Sequence, residues 1–204
     1  MGIENAYLLC YNKNMDNRFE NMTKEQLWKL FPIFLTKHNP DWAEWYKEEE
    51  ENLRALLGTN DAMRISHIGS TAIDKLWAKP IIDILIETPD KTALERVCET
   101  LIKAGYILMA KTSDRYSFNK GYTPKGLDDK VYHIHLRLKG DNDELYFRDY
   151  LATHDNVAWE YEKLKLKLWR KYTYDRDEYT AAKTDFVVKY TNIAKQLYKD
   201  RYAI

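Results

Sequence analysis

A Gly-Ser-Thr turn precedes an aspartate-bearing strand in the segment HIGSTAIDKLWAKPIIDILIE, residues 67–87. Because glycine has no side chain, Gly69 lets the backbone approach a ligand closely. The free N–H groups of such a turn, with the hydroxyls of Ser70 and Thr71 beside them, can hold phosphate oxygens. The segment therefore predicts a phosphate site, and a plain turn at Gly69 is the alternative.

Asp83 stands in the middle of an otherwise apolar strand, residues 80–86. Side chains alternate between the two faces of a strand, so Asp83 shares a face with Leu85 and Glu87. A carboxylate there is costly to desolvate unless it has a partner or lies at an open cleft. A salt bridge with Lys79 is one explanation for this aspartate, and a functional cleft is the other.

The sequence VYHIHLRL, residues 131–138, repeats this pattern with polar side chains on one face. Two histidines at this spacing can share a metal ion or an anion, although strand histidines are also common without a ligand. If this strand and the Asp83 strand belong to one sheet, their polar faces meet in a cleft suited to metal or phosphate chemistry. The side chains predicted to converge there are His67, Ser70, Asp83, His133 and His135. Arg137 lies on the same face, and Arg115 of the preceding strand is predicted to add an anion clamp.

Hydrophobic periodicity predicts the helices and strands that must position these side chains. The pattern TKEQ, beginning at Thr23, is a capping box before a short helix that Pro32 ends. The Asn-Pro pair at 39–40 and Gly58 are typical of the two ends of a longer helix. Strands are predicted at residues 33–36, 64–68, 80–87, 106–110, 114–119 and 131–138, and helices near 91–104, 143–153, 156–172 and 176–200.

The composition limits the class of protein. The length of 204 residues favours one domain, and the absence of net charge argues against a general polyanion binder. Cys10 and Cys98 form no C-x-x-C pair, so we expect a reducing, cytoplasmic setting with Cys98 as a core thiol. No apolar run approaches the roughly 18 residues that a membrane helix needs, so no membrane contact is expected. The basic run at residues 163–171 is predicted to be a solvated helix face, and nucleic acid is not expected as a partner.

The order of these elements predicts an α+β protein of mixed α/β type. A single mixed sheet carries helices packed on it and is closed by a C-terminal helical layer. The sequence lacks both the glycine fingerprint of dinucleotide-binding folds and the G-x-x-x-x-G-K-[ST] loop, which argues against an ordinary dinucleotide binder or kinase. We expect residues 1–22 to form a loosely attached arm and residues 23–204 to form one domain.

Several blocks of the sequence resemble the GrpB family over roughly residues 33–195. HIGSTAI, AKPIIDIL and HIHL carry the most specific part of the resemblance. Its remaining blocks are FRDYLATH and the later residues Tyr161, Leu164, Lys165, Tyr179, Lys183 and Phe186. The resemblance implies the nucleotidyltransferase fold, and similar domains are found fused to dephospho-CoA kinases.

Nucleotidyltransferases of that superfamily hold two divalent metals with an Asp-x-[Asp/Glu] pair on the strand after a Gly-Ser turn and a third carboxylate on a later strand. Here the Gly-Ser turn and Asp83 match, but Leu85 stands at the second carboxylate position and His133 or His135 at the third. Because Mg²⁺ prefers oxygen ligands, these replacements suit a softer metal such as Zn²⁺ or Mn²⁺, or no metal.

The resemblance then implies specific roles. Asp83 and His135 are the predicted catalytic groups, and Asp83, His133 and His135 are the predicted ligands of a divalent metal, whether Mg²⁺, Mn²⁺ or Zn²⁺. The predicted substrate-binding residues are His67, Gly69, Ser70, Thr71, Lys79, Arg115 and Arg137. The expected function is that of a nucleotidyltransferase-like enzyme binding a nucleotide or a CoA-like phosphate with that metal. One alternative is a non-catalytic, phosphate-ligand-binding or regulatory module on the same fold. Another is a metal-dependent hydrolase built on His67, Asp83, His133 and His135.

Overall fold

Five strands form one mixed sheet in the order β1-β2-β5-β4-β3 in a computed structural model that describes residues 22–203. The strands are β1 Arg64–Ile68, β2 Ile82–Thr88, β3 Ile107–Lys111, β4 Arg115–Thr123 and β5 Gly126–Leu138. β2 and β5 pair in parallel, and the other neighbours pair antiparallel. The predicted arm, except for its last residue, lies outside the described residues.

Helices precede, separate and follow the strands. They are α1 Lys24–Leu30, α2 Asp41–Asp61, α3 Lys91–Lys103, α4 Asp143–Thr153, α5 Asp155–Lys171, α6 Arg176–Ala181 and α7 Thr184–Tyr198, with a 3-10 turn at Ser70–Ala72. This architecture confirms the α+β prediction of a mixed sheet, packed helices and a C-terminal helical layer. Between residues 22 and 203, no helix is both long and apolar enough to cross a lipid bilayer.

Helices α2 and α3 supply the core on one face of the sheet. Ile82, Ile84 and Ile86 of β2 pack there with Leu53 of α2 and Leu101 of α3. Fully burying an isoleucine or leucine contributes about 1.5–3 kcal/mol, so this face anchors β2 firmly. The alternate residues of β2, including Asp83, are thereby directed to the opposite face, as predicted.

Local sequence signals account for several helix ends. The Thr23 hydroxyl accepts a hydrogen bond from the Gln26 N–H at 3.2 Å, and the Gln26 side chain accepts one from the Thr23 N–H at 2.7 Å, which confirms the capping box. The Asn39 side chain accepts a hydrogen bond from the Asp41 N–H at 3.0 Å at the start of α2. Gly58 has a non-helical backbone, so the first helical segment of α2 ends there as predicted, and a short second segment continues across a kink to Asp61.

Two predicted elements, a strand and a long helix, differ from the structure, whereas the predicted core thiol does not. Residues 33–36 form no strand, because only Thr36 makes an isolated bridge, to Ala78. The helix predicted at 176–200 is divided into α6 and α7. Cys98 is a buried core thiol, as predicted, and burial raises its pKa.

Candidate functional site

The Asp83 carboxylate lies between two histidines where β2 and β5 run side by side. The parallel register places Asp83 beside His133 and Leu85 beside His135. Asp83 Oδ1 is 3.4 Å from His133 Nδ1 and 3.4 Å from His135 Nε2. Burial alone would raise the pKa of Asp83, but hydrogen bonds from the two imidazoles outweigh it and hold the pKa far below its usual range. Asp83 is therefore an ionised carboxylate with fixed partners, and these partners are the histidines and not Lys79.

Gly69 packs directly against this carboxylate. Its φ of 71° and ψ of −171° lie in a region that is essentially restricted to glycine. A Cβ at this position would lie 2.4 Å from Asp83 Oδ2. The close approach that the sequence predicts is therefore made to Asp83, and the predicted role of Gly69 in phosphate binding stays a prediction.

His67 and Thr71 hold the turn that follows β1. The His67 ring stacks on Tyr46 with centroids 4.7 Å apart, and its Nε2 lies 3.0 Å from the Thr71 hydroxyl. That hydroxyl donates to the carbonyl oxygen of Ile81 at 3.2 Å, so it accepts its other bond from His67 Nε2–H. Burial lowers the pKa of His67 to about 4. Thr71 is buried and both side chains make hydrogen bonds inside the protein, so both help to position the turn. Their predicted contact with substrate stays a prediction.

Lys165 of α5 reaches the same turn from the C-terminal helical layer. Its ammonium group donates to Ser70 Oγ at 2.9 Å and to the carbonyl oxygen of Trp77. The same ammonium lies 5.0 Å from the centroid of the Tyr161 ring. Burial lowers the pKa of Lys165 to about 7. The predicted ligand-binding hydroxyl of Ser70 thus carries a cation beside it.

Lys79 and Lys183 add two more ammonium groups next to one aromatic ring. They lie 5.7 Å and 4.2 Å from the centroid of the Tyr179 ring. Burial, together with the charges of Arg176, Lys183 and Lys165, lowers the pKa of Lys79 to about 7. Burial also lowers the pKa of Lys183 to about 8. We call Lys79, Lys165 and Lys183 the lysine cluster; its members repel one another and are partly withdrawn from water.

Two arginines that the sequence assigned to anion binding have other partners. Arg115 Nε and Nη2 each donate to a carboxylate oxygen of Asp141 at 2.6 Å. Arg137 is buried and donates to the carbonyl oxygen of Tyr116 at 2.8 Å and to His135 Nδ1 at 3.2 Å. In the structure Arg115 thus anchors Asp141 and Arg137 orients His135, and their predicted roles in binding substrate stay predictions.

The predicted metal ligands, Asp83, His133 and His135, do meet in space, but their arrangement does not fit a metal ion. Within the described part of the chain, no three His, Cys, Asp or Glu side chains are placed to hold one. The lysine cluster also opposes a further positive charge, because like charges repel strongly in a partly buried site. The divalent metal stays a prediction that these side chains do not favour.

Lys165 and Lys183 were not among the predicted site residues, although both belong to the blocks that resemble the GrpB family. Lys165 was assigned to a solvated face, yet it occupies the buried stripe of α5 together with Tyr161 and Leu168. A lysine within an apolar helical stripe was the available signal. Lys183 gave no such signal, because its position depends on the break between α6 and α7.

Comparison with known proteins confirms the resemblance. A family model described as GrpB protein matches residues 32–192. This chain belongs to the GrpB family. The glutamate-rich protein GrpB of Alkalihalophilus pseudofirmus is 33% identical over 165 residues, covering 78% of this chain and 94% of that protein. The UPF0157 protein YqkA of Bacillus subtilis is 33% identical over 178 residues, or 84% of this chain, which spans about half (51%) of that relative.

A solved structure gives the same result for the fold of this GrpB-family chain. The crystal structure of conserved protein GrpB from Enterococcus faecalis matches with a TM-score of 0.69 and 28% identity, covering 81% of this chain and 99% of that one. The expected likeness to part of a dephospho-CoA kinase is also found. The enzyme of Mycolicibacterium paratuberculosis is 25% identical over 189 residues, 80% of this chain and 46% of that protein.

Proposed function

We propose that the cleft of this GrpB-family protein binds a small phosphorylated molecule, a nucleotide or a CoA-like compound, through its phosphate groups. The observation that carries the proposal is the lysine cluster beside the Gly69 turn. Withdrawing an ammonium group from water is costly where its partners are neutral oxygens or aromatic rings and not a carboxylate, and three such groups together add mutual repulsion. A phosphate group compensates these charges and accepts charge-assisted hydrogen bonds from them. The ligand is thus recognised by its negative charge.

A nucleotidyltransferase-like enzyme is the second candidate. The order of a Gly-Ser turn and then Asp83 on the next strand favours it, with Asp83 and His135 as the predicted catalytic groups. However, hydrogen bonds from the histidines hold the pKa of Asp83 well below its usual range, which makes this carboxylate a weak general base. The low pKa of Asp83 therefore favours ligand binding over catalysis as the function of this site.

Isothermal titration calorimetry with ATP, GTP, CTP, UTP and CoA tests the proposal. Replacing Lys165 or Lys183 by methionine keeps most of the side-chain volume and removes the charge. We expect each change to weaken binding about 10-fold, or about 1.4 kcal/mol. The matched control is Lys167→Met, since Lys167 lies exposed on the same helix as Lys165.

Two results would overturn the proposal: no heat of binding with any of the five ligands, or an equal loss of affinity in the Lys167→Met control. Pyrophosphate release, measured on the same samples with a hydroxyl-bearing acceptor such as glycerol or a short RNA, separates the two candidates. Release above background favours the enzyme, and binding without release favours the binding module.

A further inference from the structure

A series of hydrogen bonds and close polar contacts joins Arg176 to Arg137 through His133, Asp83 and His135. Asp83 lies in its middle, and its first half begins at Arg176. Arg176 Nη2 donates to the Tyr122 hydroxyl oxygen at 3.0 Å, and that hydroxyl lies 2.8 Å from His133 Nε2. Because an arginine can only donate, the Tyr122 oxygen accepts from it, and the Tyr122 O–H is available to donate to His133 Nε2. A ring nitrogen that accepts carries no proton, so neutral His133 holds its proton on Nδ1. That nitrogen faces Asp83 Oδ1 at 3.4 Å.

On the other side of Asp83, a second arginine fixes the tautomer of His135, and here the two ring nitrogens exchange their roles. Arg137 Nη2 lies 3.2 Å from His135 Nδ1. Since Arg137 must be the donor, Nδ1 is the acceptor and the proton of neutral His135 lies on Nε2. Nε2 is the nitrogen that faces Asp83 Oδ1, also at 3.4 Å.

The ionised carboxylate of Asp83 independently requires the same tautomers of His133 and His135. An ionised carboxylate oxygen can only accept, so a ring nitrogen without a proton would direct its lone pair against the lone pairs of Asp83. Both nitrogens that face Asp83 must therefore be N–H groups. The lone pairs of the two rings are turned away, toward Tyr122 and Arg137.

We propose that His133 and His135 are fixed hydrogen-bond donors to Asp83 and not metal ligands, and that the cleft therefore takes its phosphorylated ligand in the metal-free form. An imidazole ligates a metal through an unprotonated nitrogen, and neither ring offers one on the side of Asp83. The lysine cluster supplies the positive charge that a metal would bring to the phosphates. The part on the tautomers stands alone, whereas the part on the metal-free ligand rests on the proposed function.

Nitrogen NMR of the histidine rings tests the tautomers without any ligand. Long-range ¹H–¹⁵N spectra of the ¹⁵N-labelled full chain distinguish a ring protonated on Nδ1 from one protonated on Nε2. We expect the Nδ1–H form for His133 and the Nε2–H form for His135, with no change when stoichiometric Zn²⁺ or Mn²⁺ is added. Tyr122→Phe, which removes the donor to one ring, should change the signals of His133 and leave the His135 tautomer in place.

Other spectra would overturn this part of the proposal. The decisive ones are the opposite tautomer at either ring, or Mn²⁺ broadening confined to His133 and His135. If Tyr122→Phe left the His133 signals unchanged, the hydrogen bonds from Arg176 through Tyr122 would not determine the tautomer of His133.

Calorimetry with ATP tests the metal-free ligand. We expect binding to be tightest in EDTA and at least about 10-fold weaker in excess MgCl₂, because Mg²⁺ occupies the phosphate oxygens that the lysine cluster would contact. Binding that requires Mg²⁺ would refute the proposal. Absence of binding in both buffers would refute the proposed function and the metal-free ligand together, while the NMR result would still decide the tautomers.

Discussion

Replacing Gly69 by alanine should destabilise the protein more than replacing Gly58, although the two glycines share one backbone conformation. Gly69 has φ 71° and ψ −171°, and Gly58 has φ 69° and ψ 172°. A Cβ at Gly58 would meet no atom within 4 Å, whereas a Cβ at Gly69 would lie 2.4 Å from Asp83 Oδ2 and 3.1 Å from Asp83 Cβ. Gly58→Ala therefore measures backbone strain alone, and Gly69→Ala measures the same strain plus the displacement of Asp83.

The difference between the two variants can be worked out from these contacts. Strain in this region of the backbone costs about 1–3 kcal/mol, and the reduced freedom of the unfolded chain returns about 0.4–1 kcal/mol; both quantities are common to the two variants. Asp83 cannot move freely, because two imidazoles hold Oδ1 at 3.4 Å each. Hydrogen bonds to a charged group contribute about 1.5–3 kcal/mol each, and the length and partial exposure of these two reduce that value. We expect Gly69→Ala to lose about 2 kcal/mol more than Gly58→Ala.

Urea denaturation followed by circular dichroism measures both losses, provided that the slope against urea is the same in the two variants. Equal losses would refute the reasoning, because they would mean that Asp83 does not constrain the turn. A larger loss at Gly58 would refute it as well. Calorimetry with ATP on the same samples should show weaker binding for Gly69→Ala and unchanged binding for Gly58→Ala.

Three further predictions concern charge. Burial lowers the pKa of Lys165 to about 7 and that of Lys183 to about 8, from the ordinary 10.5, so the unfolded chain binds more protons above these values. The free energy of unfolding should therefore rise between about pH 7.5 and 9.5, by at most about 1.4 kcal/mol per pH unit for each lysine, and urea titrations showing a flat or falling trend would contradict this. The affinity for ATP should fall over the same pH range, because the lysine cluster of the free protein loses the positive charge that attracts phosphate. Calorimetry at both ends of the range measures this change. A constant affinity would contradict a role of the lysine cluster in binding. Lys120→Met should lower the free energy of unfolding, measured in urea, by about 1–3 kcal/mol, because it leaves the buried carboxylate of Glu49 without its salt bridge. Lys130→Met, whose partner Glu48 is exposed, should lower it by about 0–1 kcal/mol. Equal losses would contradict the argument from burial.

The elements that the sequence predicts well are those set by near neighbours in the chain. The capping box at Thr23 and the alternation around Asp83 involve residues a few positions apart, so tertiary structure changes them little. Residues 33–36 alternate in the same way, but Ile33 packs against Leu168 and Tyr179 of the C-terminal helices instead of joining the sheet. Alternation shows that one face is buried, and it does not show what buries that face.

The region 176–200 was predicted to be one helix, and it is divided into α6 and α7 for a related reason. Tyr179 of α6 packs with Ile33 and Leu168, whereas Phe186 of α7 packs with Tyr161 in another cluster. A straight helix would have to serve both clusters, and the chain bends between them. That bend carries Lys183 to the site, so the position of this lysine depends on two packing surfaces that are distant in sequence.

Half of the candidate site could be predicted because it lies on strands. Asp83, His133 and His135 were expected to converge once β2 and β5 belonged to one sheet, and the register places them together. The lysine cluster could not be derived in this way, since Lys79, Lys165 and Lys183 belong to a loop, a helix and an interhelical bend.

Asp83 and the lysine cluster act on each other electrostatically. The charge of Asp83 raises the pKa of Lys79 and of Lys183, against the burial that lowers both. A single ionised carboxylate thus helps to keep these ammonium groups charged near neutral pH, as the proposed phosphate binding requires. The histidines keep that carboxylate ionised by donating to it from both sides. An aspartate with this role depends on the hydrogen bonds that its histidines donate, so the two histidines act on Lys79 and Lys183 through Asp83.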